Sequence, residues 1–178
     1  MLIGPSADRL VLRPPRPGDR DEALAAHAEL AAEGFDFLLG YDDGMAWGEY
    51  LELLAAQERG ARLPRRLVPH TFLLAESAGR VVGRVSVRHE LNAALAAIGG
   101  HIGYAVRPAD RRRGHARAIL RGALEAAAGF GIAEALVTCD EGNAGSVRTI
   151  EGAGGVLEDS VELAPGFRTL RYWIPTPI

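Results

Sequence analysis

The stretch Gly99–Ala127, GGHIGYAVRPADRRRGHARAILRGALEAA, decides the fold. Its first third predicts a strand, with Ile102, Tyr104 and Val106 alternating against His101, Gly103 and Ala105. Pro108 ends that strand, because proline donates no ladder hydrogen bond. The last third predicts a helix whose buried stripe is Ala116, Ile119, Leu120, Ala123, Leu124 and Ala127, at i, i+3, i+4 spacing. Between them lies RRRGHA, residues 111–116. A helix start carries unpaired N–H groups and a partial positive charge, so it disfavours cations and welcomes anions. Three consecutive arginines there predict an anionic guest. Gly114 and Ala116 leave the backbone bare enough for phosphate oxygens to approach. The turn reads as a phosphate cradle.

A P-loop is excluded, because the chain contains no lysine, and a dinucleotide fingerprint would need more glycine than Gly114 alone. Arg111-x-x-Gly114-x-Ala116, between strand and amphipathic helix, resembles motif A of the GNAT-type N-acetyltransferases, [Q/R]-x-x-G-x-[G/A]. Asn143-x-x-Ser146-x-x-x-Ile150-Glu151-x-x-Gly154 resembles the family's motif B, and Leu12-Arg13-Pro14 its opening LRP. The likeness spans nearly the whole chain. By GYDDG, RHELN, GGHIGY and LVTCD the chain is also similar to a bacterial subgroup of acetyltransferases with no settled substrate.

The resemblance implies an α/β (α+β) fold: a mixed, mostly antiparallel central sheet of about seven strands, flanked by helices and splayed between the fourth and fifth strands. One domain over residues 1–178 is expected. Acetyl-CoA is the implied co-substrate, with no metal. Its pyrophosphate falls to Arg111, Arg112, Arg113, Gly114, His115, Ala116 and Arg117. Its pantetheine arm falls to the backbone of Tyr104, Ala105 and Val106, with Asn143 and Ser146 on the other side. Many members carry, at the position of Ile150, a tyrosine that protonates the departing thiolate, which isoleucine cannot do. Ser146 or a water is left for that role, or no acid at all, since thiols have a pKa of roughly 8–9. For the base, His101 stands where several relatives have a glutamate, with Glu90 and Asp140 as rivals. A strand histidine packed beside a glycine-rich loop is the alternative. Cys139 reads as a small core residue, since direct transfer needs no acyl-carrying nucleophile.

Composition sets outer bounds. A length of 178 residues, 48% hydrophobic and 24% charged, is ordinary for a globular protein with a sizeable core. A net charge of −3 argues against nucleic acid as the main partner. The lone Cys139 allows no intrachain disulfide and fits a reducing cytoplasm. MLIGPSADRL shows no leader pattern, and no apolar run reaches a membrane span.

In chain order, a strand is expected over Leu10–Leu12, then a helix opened by Asp19 with Leu24, His27, Ala28 and Ala31 on one face. A second helix follows over about Met45–Arg59. The segment before it mixes aromatics with acids. Either these aromatics pack helices, or Asp36, Tyr41 and Trp47 form a lip for a cationic amine. A hairpin over Thr71–Glu76 and Val81–Val87 precedes the central strand, and a second over Val156–Leu163 and Phe167–Ile174 closes the chain. Its apolar character allows a homodimer as well as a monomer. The leading function is acetyl transfer to an amine of a small molecule or peptide. The rivals are a non-catalytic acyl-CoA sensor and, more remotely, a binder of another nucleotide.

Overall fold

The structure, a computed structural model, describes residues 10–177. The reading of a leader-free N-terminus falls on residues 1–10 and so lies almost wholly outside the described residues. Strand β1 (Val11–Arg13) is followed by a 3₁₀ turn over Pro17–Asp19 and helix α1 (Arg20–Ala31). Next come α2 (Trp47–Glu58), β2 (His70–Ser77), β3 (Arg80–Arg88) and the short α3 (Ala93–Ala97). The central pair is β4 (Ile102–Val106) and α4 (His115–Gly129). Then follow β5 (Glu134–Asp140), α5 (Ala144–Glu151), β6 (Val156–Ala164) and β7 (Phe167–Pro175).

The strands form one sheet in the order β1-β2-β3-β4-β5-β7-β6. Every neighbouring pair is antiparallel except β4 and β5, which run parallel and share a single register pair, Ile102 with Val137. Beyond Ile102 the two strands part, which is the expected splay. The β2–β3 turn needs positive φ at both central residues, Ala78 (50°) and Gly79 (74°), the geometry that matches strand twist in a two-residue hairpin.

One face of the sheet packs on α4 and α5, through Val85, Val87, Ile102, Ile119, Leu120, Leu124, Val137 and Ile150. The other packs on α1 and α2 through Leu30, Phe37, Leu38, Tyr50, Phe72 and Leu74. The α4 stripe is as expected from its spacing. The α1 face is not: Ala23, Ala26 and Leu30 are buried, whereas Ala28 and Ala31 are exposed. In an alanine-rich helix the small residues let the backbone approach the sheet, so hydrophobicity alone does not choose the face. Asp19 makes no side-chain cap on α1 either. Its carboxylate instead grips Arg13 Nη2 at 2.8 Å and accepts from the Arg16 N–H, while Arg13 Nε reaches Glu76.

Candidate active site

Strand β4 delivers the chain into the cradle. Pro108–Asp110 forms a 3₁₀ turn, then Arg112 (φ 64°) and Gly114 (φ 84°) take left-handed conformations that swing the backbone into α4. From Arg112 to Arg117 no backbone N–H donates to an acceptor among the described residues. A helix start must satisfy these donors by caps, water or ligand, and here no side chain caps it. Such a run of N–H groups suits an anion.

The arginines divide their work. Arg111 turns away to Glu33, 3.1 Å from Nη1, and its Nε donates to the Val106 carbonyl at 3.2 Å. Arg113 lies 3.8 Å from the buried Asp110, which also faces Arg80 at 3.7 Å. The expectation that all three arginines await an anion is therefore corrected, because Glu33 and Asp110 already offset part of the charge. Arg112 and, one turn in, Arg117 have no ion-pair partner among the described residues. A groove of about 410 Å³ leads from Gly114 between α4 and α5, past Arg117, Arg121, Thr149 and Gly152. A wider one, about 1200 Å³, opens on the other flank of α4 toward β1 and also borders Gly114 and His115.

The splay supplies a second set of free groups. Arg88 N–H bonds His101 O, and Arg107 N–H bonds Val82 O, which sets the phase of the β3–β4 ladder. In that phase Tyr104 and Val106 turn their backbone groups toward β5, where no ladder partner follows Ile102. Across the gap, Asn143 caps α5, its side-chain oxygen accepting from Ser146 N at 3.0 Å. Asn143 is exposed and Ser146 half-buried. Tyr104 Oη is buried without a hydrogen-bond partner, beside the Ser146 and Thr149 hydroxyls, and burial raises its pKa. Sequence reading valued Tyr104 only for its backbone; its side chain was the part missed. Ile150 is fully buried in the core.

Three expected roles need revision. His101 is buried, and its ring Nδ1 accepts from Leu136 N–H at 2.9 Å while its backbone N–H donates to Leu136 O. That ring ties β4 to β5 as a neutral imidazole, and burial lowers its pKa, so its acceptor nitrogen is not free to take a substrate proton. Glu90 is exposed beyond β3, where its charge acts on His89; no contact joins it to His101 or Ser146 among the described residues. In the acidic-aromatic segment, Trp47 is buried with its indole N–H on Arg16 O at 3.0 Å. Tyr41 packs edge-on to Tyr50 at 5.3 Å and donates to Met45 O. These aromatics hold helices together and do not form a lip. Asp36 remains exposed, 3.8 Å from His27 Nδ1. Burial pushes the Cys139 thiol up to about 11, unsuited to a nucleophile. Among the described residues no group of His, Cys, Asp and Glu side chains is placed to hold a metal ion. No helix there is long and apolar enough to cross a membrane.

A cradle of unpaired N–H groups at a helix start, next to a parallel pair that parts after one register position, makes a site suited to a ligand that joins a diphosphate to an extended arm. Residues 9–156 match the family model described as the acetyltransferase (GNAT) domain, and the chain belongs to that family. No curated protein sequence matches the chain. Among solved structures, the chain is similar to yncA from Salmonella typhimurium, an acetyltransferase solved with acetyl-CoA: 16% identity, 96% and 95% of the two chains covered, TM-score 0.64. It is also similar to the microcin C7 self-immunity acetyltransferase MccE, solved with acetyl-CoA and AMP: 16% identity, 97% and 98% covered, TM-score 0.65. A third is a spermidine N-acetyltransferase SpeG chimera from Vibrio cholerae and hSSAT: 18% identity, 94% and 96% covered, TM-score 0.62. At these identities the likeness concerns the fold.

Proposed function

We propose that this chain acts as one cytoplasmic domain that moves an acetyl group from acetyl-CoA to an amine of a small molecule or peptide, by direct attack within a ternary complex. The observation carrying this reading is the unbroken run of free N–H donors from Arg112 to Arg117, continuous with the free edge of β4. Acetyl-CoA supplies the activated acyl group. The N–H groups of 112–117, with Arg112 and Arg117, hold its diphosphate. The free backbone groups of Tyr104 and the Val106 N–H, whose carbonyl is already taken by Arg111 Nε, align the pantetheine arm and polarise the thioester carbonyl. Asn143 and Ser146 border the arm from α5. Tyr104 Oη, a phenol that burial shifts further above the ordinary tyrosine value, stands in for the tyrosine that Ile150 replaces and donates a proton to the departing thiolate. With His101 committed to Leu136, the amine loses its proton to water or to Asp140 at the exposed end of β5.

Release of free thiol from acetyl-CoA, followed across a panel of amines with product mass by mass spectrometry, tests this. Amine-dependent release is expected. Tight binding of acetyl-CoA with thiol release no faster than in the blank would establish the sensor instead, a reading favoured by Ile150.

A further inference from the structure

Strand β3 carries Arg84, Ser86 and Arg88 on the face toward α1 and α2, opposite Ala105 and Gly103 of β4. Their cross-strand neighbours are Leu74, Phe72 and the buried His70 on β2, and Ala105, Gly103 and the buried His101 on the β4 side. Arg84 is 3% exposed. It donates from Nη1 to Gly103 O and from Nη2 to Asp36 O, both at 2.9 Å, under the ring of Phe35 at 4.8 Å. Its Nε has no partner, nor has the buried Ser86 Oγ. Arg88, half-buried, donates from Nη1 to Gly99 O and Gly100 O, leaving Nη2 and Nε unused among the described residues. No carboxylate lies within ion-pair distance of either guanidinium among the described residues; Asp36, whose charge reaches Arg84, is turned to His27 and more than half exposed.

Two like charges taken out of water beside each other are costly unless an anion joins them. Both converge on one spot. A Cβ added to Gly103 would lie 3.7 Å from Arg88 Nη1, 3.8 Å from Arg84 Nη1 and 3.9 Å from Arg88 Nη2. Gly103 precedes Tyr104, whose backbone faces the splay. The cradle and the α4–α5 groove lie on the opposite face of the sheet, so an amine held on this face would approach the thioester from the side away from the coenzyme.

We propose that the acceptor is an anionic amine, whose carboxylate or phosphonate is held beside Gly103 by Arg88 and Arg84. Consecutive Cα atoms are ~3.8 Å apart, so the amine at Tyr104 and the anion at Gly103 belong a few bonds apart, as in an amino acid. This replaces the cationic acceptor suggested by the acidic-aromatic segment. It rests on the transferase reading, and the test separates the two.

Thiol release is measured for free amino acids, for their amides and methyl esters, and for aminoalkylphosphonates. The anionic member of each pair is expected to have at least tenfold higher kcat/KM, with carboxylate against phosphonate telling which anion is preferred. Arg88→Gln brings that ratio to about one. Gly103→Ala, whose methyl meets only ordinary contact distances, keeps both charges and raises KM for the anionic amines. Calorimetric titration with the best anionic amine, without acetyl-CoA, gives a second readout. Equal turnover of charged and neutral members overturns the inference and leaves the transferase reading standing. Binding of the anionic amine that Arg88→Gln abolishes, with no amine acetylated, supports the anion site and removes the transferase reading. No turnover together with no binding overturns both.

Discussion

Gly114→Ala separates what the cradle does for folding from what it does for binding. The residue has φ +84°, and a Cβ there meets nothing within 4 Å. The substitution therefore creates no clash, only the left-handed cost of about 1–2 kcal/mol for an L-residue. For a domain of this size each kcal/mol shifts Tm by roughly 2–4 °C, so a fall of about 2–8 °C is expected. Gly131 is a matched control at the other end of α4, with φ +77° and nothing within 4 Å of its Cβ. Gly131→Ala should lower Tm by a similar amount. Binding is where they part. A methyl on Gly114 stands where phosphate oxygens approach the N–H run, and each charge-assisted hydrogen bond lost costs about 1.5–3 kcal/mol. Since 1.4 kcal/mol is tenfold, calorimetry with coenzyme A should give a Kd at least ~10-fold weaker for Gly114→Ala and unchanged for Gly131→Ala. Equal Kd values in both variants and the parent would refute the assignment of the diphosphate to this turn.

Three further outcomes are expected. Tyr104→Phe removes a hydroxyl that is buried without a partner, so thermal melts should show stability unchanged or raised by up to ~1 kcal/mol, while kcat falls about tenfold; an unaltered kcat ends its role as proton donor. His101→Phe leaves the Leu136 N–H buried without its acceptor and should cost about 1–3 kcal/mol in denaturant melts, with kcat changed little in the surviving folded fraction; a collapse of kcat without loss of stability would restore it as the base. Burial holds His70 and His101 below the ordinary imidazole value. Their unfolded forms bind protons first, so stability is full above about pH 6.5 and falls as pH drops through the window toward the folded values. Melts from pH 8 to pH 5 should show that decline, weakened in His101→Phe.

The centre of the fold was legible because three independent signals agree there: alternation over Ile102–Val106, Pro108 as the stop, and the 3.6-residue stripe of α4. The splay came from the resemblance to the GNAT family, and the single β4–β5 register pair accounts for it physically. The face of α1 was not legible, because alanines at many positions give a helix no strong preference. The role of His101 was hidden for another reason. A strand histidine reads the same whether it faces substrate or accepts from a neighbouring N–H, and only the position of Leu136 decides. Arg84, Ser86 and Arg88 did leave a signal, polar residues at every second position of β3. That pattern normally marks a solvent face; here α1, α2 and the loop at Phe35 cover it, turning a wet stripe into buried charge.

The central claim is that the N–H groups from Arg112 to Arg117 are the diphosphate's ligands, and amide NMR reads them individually. Titration with coenzyme A should shift the amide resonances of this segment and slow their hydrogen exchange, whereas pantetheine, which lacks the diphosphate, should leave them in place and move only signals along β4. Shifts confined to other parts of the chain, or the same response to both compounds, would contradict the account.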